Sequence, residues 1–459
     1  MKTSFSKTAI VFCLCAVATQ AFGQTDVQAL QTRAEEALVN GDPNTTADLA
    51  LQMLERNADS FAGLFLLALA QADLGRQQDA AATAEQAYRA ATTEDARLQA
   101  ARLVASLRFG AEQYARSEFW LRRAANHAQT DEDAQAVKTE YARVAEANPL
   151  AVEFTASIAP SDNINDGSKN GVLQFEGIDL TFLLPEDQLA LSGVEYAGSA
   201  RVNYRVSRGD NQTTTLNGYL SGRTYTLSHS AKDLLASSPN ADVRAVTGSD
   251  FATTVAEVGL THRRRDLTSL GPTSFTLTYG KYWQGGAATI DYRDLIVEQI
   301  VPVSQNTAMS FRGSVRDQNA LQPTVVDSVI YDAIGAYRMA LPNNDQMQVS
   351  LALRQNDAGL ETTYTEYRST ISYTFAKPLF NMRWSTLLGL GYRNYDAYTT
   401  TLDGRRDRSI TLGADAVFEE VTYFGFSPRV SLMATHTDSS AEEITSSAIQ
   451  VQFGIESNF

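Results

Sequence analysis

Few residues of this chain are arranged for bond-making chemistry. The four histidines, His127, His229, His262 and His436, are scattered without the spacing that lets side chains share one metal ion, and each reads as solvated rather than as a ligand. No glycine-rich phosphate loop, nucleophile elbow or zinc-protease motif is present. The run Ser161-Asp162-Asn163-Ile164-Asn165-Asp166-Gly167 superficially resembles a calcium loop, but it places Ile164 where an oxygen ligand is required. Its Asx residues suit a turn instead. Arg263, Arg264 and Arg265, followed by Asp266, read as a solvated or headgroup-facing cluster at a strand end. No enzymatic activity, metal or cofactor is expected. What remains is a set of charges on one face of alternating segments: Arg201, Arg205, Arg354, Arg383, Arg393 and Asp415, candidates for the wall of a hydrated lumen.

Three kinds of segment must position these residues. Residues 1–23 read as a secretory signal, with Lys2 and Lys7 ahead of the apolar run 9–18 and with Ala21 and Gly23 as the small residues before a cut at Gln24. The apolar run is about ten residues long where roughly 20 are needed to span a bilayer as a helix. Cys13 and Cys15 lie inside this segment, so disulfides and thiolate chemistry are not expected of the mature chain. A net charge of −15 argues against nucleic acid as a partner.

From 24 to 148 apolar residues recur three and four apart among Ala, Leu, Glu, Gln and Arg, which predicts helices. A repeat of about 34 residues emerges around Gly75, preceded by Leu67 and Ala68 and followed by Ala80, Ala84 and Ala87, a tetratricopeptide-type pattern. Gly41 and Gly110 stand one period to either side. Ala115 and Phe119 then match Ala80 and Ala84, while Ala47 and Leu51 are displaced by one. The small residues permit close approach of antiparallel helices and leave a concave face for a partner. A generic helical spacer is the alternative. Asn148-Pro149 closes the segment, because the residue before proline is driven out of the α region.

From 149 to 459 the period becomes two. Val152, Phe154, Ala156 and Ile158 oppose Glu153, Thr155 and Ser157; Phe275, Leu277 and Tyr279 oppose Ser274, Thr276 and Thr278. About fourteen such segments run from 152–158, 193–206 and 212–226 to 422–436 and 445–459. Connections after the even-numbered segments are short, and the long ones (159–192, 227–252, 395–407, 437–444) all follow odd-numbered segments. Alternation alone suits a β-sandwich equally, but a sandwich supplies no reason for that parity. Aromatics near segment ends, including Tyr279, Tyr282, Trp283, Tyr392, Tyr395, Tyr423 and Phe424, suit an interfacial girdle. The expected fold is therefore helical repeats followed by a fourteen-stranded antiparallel outer-membrane barrel, the helices lying in the periplasm and outer-membrane lipid surrounding the strands.

The architecture and several short motifs resemble the surface lipoprotein assembly modulator (Slam) family. Pro160, Ser161, Asn163 and Asn165 after the first strand carry the resemblance, together with Arg406-Asp407, Gly425, Pro428, Ser439 and the final Phe459. This chain has Ser439-Ser440-Ala441 where members tend to have Ser-Asn. The resemblance implies a translocation or assembly factor that delivers a lipoprotein or a hemophore-like protein to the cell surface. It also implies a protein cargo for the repeat domain, and the terminal aromatic on an amphipathic last strand resembles the signal read by the barrel-assembly machinery. An exopolysaccharide export barrel and a passive porin with an accessory periplasmic domain are the alternatives. The first usually carries more repeats, and the second would conduct small ions without needing residues 24–148.

Overall fold

The computed structural model describes residues 25–175, 181–359, 361–399, 401–418, 421 and 426–457. The expected signal segment 1–23 and the motif positions Gly425 and Phe459 lie outside them, as do Tyr423 and Phe424. The chain divides into two compact units, one ending at Asn148 and the other beginning at Pro149.

The first unit holds seven helices among its described residues: α1 (Thr25–Val39), α2 (Pro43–Arg56), α3 (Phe61–Asp73), α4 (Gln77–Ala90), α5 (Glu94–Gly110), α6 (Tyr114–Ala125) and α7 (Asp131–Ala147). Polar residues start four of them. The side chains of Asp42, Ser60, Thr93 and Thr130 accept from first-turn backbone N–H groups that have no partner within the helix. The helices pack as three successive hairpins with α7 against the last. Each hairpin turns through one residue in the left-handed region: Gly41 at φ 74°, Gly75 at φ 79° and Glu112 at φ 57°.

Counting from those turns explains the packing. Seven residues before and five after lie the pairs Ala34/Thr46, Ala68/Ala80 and Ala105/Ser117, all of them buried. Thr46 and Ser117 are polar yet fully enclosed because their hydroxyls donate to the carbonyls of Ala34 (3.4 Å) and Ala105 (2.7 Å) on the facing helix. Small side chains let the two backbones approach, as tetratricopeptide-type repeats require.

Two expectations are corrected here. Glu112, not Gly110, is the third turn residue, so the third repeat is shifted by two. Ser117 and Leu121 fill the buried positions, while Ala115 and Phe119 are exposed. In the first hairpin the buried pair is Thr46 and Ala50 rather than Ala47 and Leu51. A left-handed Glu costs roughly 1–2 kcal/mol, which neighbouring packing offsets, and a search anchored on glycine passes over it.

His127 is not solvated as expected. It is largely buried, with Nδ1 2.6 Å from Glu94 Oε2 and Nε2 2.7 Å from the Tyr88 hydroxyl. The hydrogen bond from His127 lowers the Glu94 pKa below the usual carboxylate value, with the imidazole and Arg97 charges adding to it.

The second unit is a closed antiparallel barrel. Fourteen strands form it: β1 (Leu150–Ser161), β4 (Gly193–Arg208), β5 (Gln212–Leu227), β6 (Thr253–Thr268), β7 (Gly271–Gln284), β8 (Ala287–Pro302), β9 (Thr307–Ala320), β10 (Ser328–Ala340), β11 (Gln346–Asp357), β12 (Tyr364–Thr374), β13 (Arg383–Tyr395), β14 (Arg405–Val417), β15 (Phe426–Ser439) and β16 (Ser446–Ser457). Neighbours in sequence are neighbours in the sheet, and β1 pairs with β4 over its whole length. Pairing of β1 with β16 completes the ring, from Ala156 opposite Ile455 to Ser161 opposite Gln450. The small hairpin β2 (Val172–Gln174) and β3 (Thr181–Leu183) stands apart within the first long loop. No described helix is long and apolar enough to cross a membrane.

Replacing Ala80 with leucine should overfill the second hairpin and destabilise the helical unit by about 1–3 kcal/mol. The check is a lower urea midpoint of the helical circular dichroism signal in the full-length protein. Because the Glu94 pKa is depressed on folding, its contribution is complete above the unfolded value and fades as pH falls through the folded one. Helical stability should therefore decline across the acidic carboxylate range, and Glu94→Gln should flatten that decline in denaturation curves taken pH by pH.

Candidate functional site: the lumen wall and its capping loops

Cross-strand register fixes which side chains share a face. The even residues of β1 lie opposite the even residues of β4, and the pairing carries each face on around the ring, the outward set passing from even to odd numbers between β6 and β7 and back to even between β12 and β13. One face carries Phe154, Val202, Leu216, Leu260, Leu277 and Leu351, each well exposed in the isolated chain. The other face carries polar and charged groups, several of them buried, including Glu195, Asp294, Glu366 and Asp407. In a closed ring the shielded face is the inner one. The wall is thus apolar outside and polar inside, the order a lipid-embedded barrel needs.

All six predicted lumen charges stand at inner-face positions, yet they do not form one site. Arg354 makes a paired contact with Asp332 (2.7 and 3.1 Å). Arg393 reaches Glu366 at 3.3 Å and lies 4.6 Å over the Tyr364 ring. Arg201 sits opposite Glu153 and 5.3 Å over the Tyr219 ring. Asp415 accepts from Arg429 at 2.6 Å and from the Ser431 hydroxyl. Arg205 lies beside the bulge of β4, and Arg383 opens β13 opposite Val417.

The register turns separate pairs into a belt that sequence reasoning missed. Asp332, Arg354, Glu366, Arg393, Asp407 and Ser439 are directly opposite one another, strand by strand, from β10 to β15. Their signs alternate, so each charge has an opposite neighbour. Arg368 and Arg405 add second contacts to Glu366 (2.6 Å) and Asp407 (2.7 Å). Further round, Arg316 forks onto Asp294 (2.9 and 2.6 Å) and lies 4.1 Å over Tyr292. The Tyr292 hydroxyl donates to Glu257 at 2.5 Å across Gly280, where a Cβ would come within 2.2 Å of the Tyr292 ring. Gly280 is therefore a required close approach. Tyr395, expected in the lipid-facing girdle, instead faces inward under Arg405, 4.1 Å from its ring centre, and Tyr282 shares the inner face. Period two alone does not say which residue of a strand end turns inward.

The motif residues at the end of β1 and just after it do a structural task. Asn163 exchanges hydrogen bonds with Gly167, donating to its carbonyl (2.9 Å) and accepting from its N–H (2.8 Å). Asn165 donates to the carbonyls of Asp187 and Leu189 and accepts from the Leu191 N–H. The Ser161 hydroxyl accepts from the Asn163 N–H, and Pro160 lies opposite Val194. Ile164, which excludes a calcium loop, is buried with Leu191, Leu227, Ala231, Leu235 and Val243. This small core joins the loop 162–192 to the loop 228–252, which contains α8 (His229–Ala236) and α9 (Ala241–Arg244). Asp162 also accepts from the Ile449 N–H on β16 at 3.1 Å, tying the first loop across the junction that closes the ring. Pro428 accepts from the Phe418 N–H at 2.9 Å.

No protein-family profile matches this sequence, and no curated protein aligns with it significantly. Solved structures of similar geometry exist for each unit. The TPR2B-domain:pHsp70 complex of yeast Sti1 aligns at 17% identity and TM-score 0.24, covering 26% of this chain and 96% of that one. The Yersinia enterocolitica type III secretion translocator chaperone SycD aligns at 10% identity and TM-score 0.25, covering 28% and 88%. A loop-deletion form of OmpT, an outer-membrane protein of Vibrio cholerae, aligns at 12% identity and TM-score 0.33, covering 68% and 99%.

Replacing Asn165 with alanine orphans two backbone carbonyls and one N–H in a partly buried loop, at about 1–3 kcal/mol for each unsatisfied group. The loop should loosen, and trypsin should cut at the exposed Lys169 faster than in the parent while the barrel stays folded. Equal cutting rates would remove the stapling role.

Proposed function

We propose that this protein is a translocation or assembly factor of the outer membrane that delivers a lipoprotein or hemophore-like protein to the cell surface, without enzymatic chemistry of its own. The reading places the helical unit in the periplasm, where its concave face would collect the cargo, and assigns passage or surface assembly to the barrel. One observation carries it: a tetratricopeptide-type unit and a closed barrel with a polar inner wall occur in one chain, in that order. Helical repeats of this kind suit extended protein segments, because stacking leaves a continuous concave surface. The resemblance of Pro160, Ser161, Asn163, Asn165 and Pro428 to the surface lipoprotein assembly modulator pattern supports the same reading. So does the placement of the long loops 162–192, 228–252 and 396–404 at the barrel end opposite the one where β1 begins. The barrel-assembly machinery is the partner proposed for its insertion.

Deleting residues 24–148 behind an intact export signal should leave the barrel inserted and abolish surface display of a specific protein, measured by surface labelling of intact cells and comparison of the labelled proteins. Unchanged display would defeat the proposal. Steady small-ion conductance of the truncated barrel in planar bilayers, with no change in display, would point to a porin instead.

A further inference from the structure

The inner wall differs at its two ends. Near the long loops the arginines of the belt are paired with carboxylates. Near the opposite end, on β4, β5 and β6, a cavity of about 780 Å³ is lined by Arg208, Arg263, Arg265, Asn203, Asn217 and Thr261 among others. No side chain in that lining is apolar. Ligand pockets are usually walled mainly by apolar and aromatic groups, so this cavity is built for a strongly hydrophilic ligand.

The run Arg263-Arg264-Arg265, expected to face solvent or headgroups as a block, is divided by the pleat. Arg263 and Arg265 turn inward into the cavity, while Arg264 faces the other way and forks onto Asp266 (3.0 and 3.1 Å). Among the described residues neither Arg263 nor Arg265 makes an ion pair, and both are exposed to the cavity. Arg208 and Arg263 flank Thr213 from the two adjacent strands, and Arg205 lies one step further along β4. The carboxylate in the lining is Asp210, in the turn after β4; on the same face Glu298 lies opposite Arg312 and beyond Ser274 from Arg263, and Glu153 lies opposite Arg201. The lining thus holds three arginines and one carboxylate, and among the described residues Arg263 and Arg265 stand outside any ion pair, in a chain whose net charge is −15. Guanidinium groups present N–H donors in a planar fork that matches phosphate and carboxylate oxygens, and the amide and hydroxyl groups around them supply further donors.

We propose that this cavity is a binding site for small oxyanions, phosphate- or carboxylate-bearing solutes, at the barrel mouth where β1 begins. The proposal rests on the wall of β4 to β6 alone and stands or falls independently of the cargo reading. The test is isothermal titration calorimetry of the full-length protein in an uncharged detergent at low ionic strength, with inorganic tripolyphosphate and, separately, citrate as probes. The parent should bind tripolyphosphate saturably at one site, and R263Q/R265Q should bind at least about tenfold more weakly, two charge-assisted contacts having been removed. R263K/R265K keeps the charge and should recover part of the affinity, which separates loss of a site from loss of fold. Arg293→Gln, on the outer wall, should bind as the parent does. Citrate binding with the same dependence assigns the full oxyanion class; tripolyphosphate binding alone assigns the phosphate-bearing solutes. Absence of saturable binding by the parent, or equal affinity in R263Q/R265Q, would overturn the site.

Discussion

Closure of the hydrogen-bonded ring is the constraint on which the barrel depends. A strand with a free edge presents unpaired N–H and C=O groups, and in hydrocarbon each such group costs several kcal/mol. Joining β1 to β16 removes the edges, so the apolar residues of every strand can face outward without a second layer to cover them. That frees the sequence from building a central apolar core. The inner wall can then be polar, and the loops become the place where apolar side chains gather, as Ile164, Leu191, Leu227 and Leu235 do.

A polar interior brings its own requirement. Charges facing a confined lumen interact more strongly than charges in bulk water, so like signs on adjacent strands repel and opposite signs attract at the spacing of the ladder. The row from Asp332 to Asp407 meets this by alternating sign at every strand. Such a row also resists slippage. A shift of one residue would send these side chains to the apolar outer face, which reinforces the register already imposed by the outward leucines and tyrosines.

Much of the fold is legible in the sequence because a closed wall with an apolar outer and a polar inner face enforces a strict alternation, and all fourteen strands follow from it with ends displaced by a few residues. Loop parity is legible for the same reason, since a strand that spans must return. The helical repeats are only partly legible. Period 3.6 identifies the helices, but repeat register rests on single turn residues, and Glu112 in a left-handed turn hides the third behind a misleading Gly110. The inner face is legible as a face and not as a set of partners: Arg316 with Asp294 and Arg393 with Glu366 are 22 and 27 residues apart, and only the register brings them together. Tyr292 and Glu257 meet across two strands because Gly280 has no Cβ, a relation that no local pattern encodes.

The two ends of the barrel accordingly have different characters. At the loop-bearing end the ionic belt, the loop core and the Asp162 contact to β16 all cross strand boundaries, so displacing one strand there disturbs its neighbours. At the other end, among the described residues, the turns after β4, β6 and β8 are short, and Arg263 and Arg265, in no ion pair there, line the cavity on β4 to β6. Paired charges add little attraction for a solute, because their fields largely cancel, whereas unpaired charges of one sign in a recess sum. An ion meeting this lumen would therefore encounter a selective field at the mouth where β1 begins and a nearly neutral, cross-braced collar at the other, and that polarity follows from register alone.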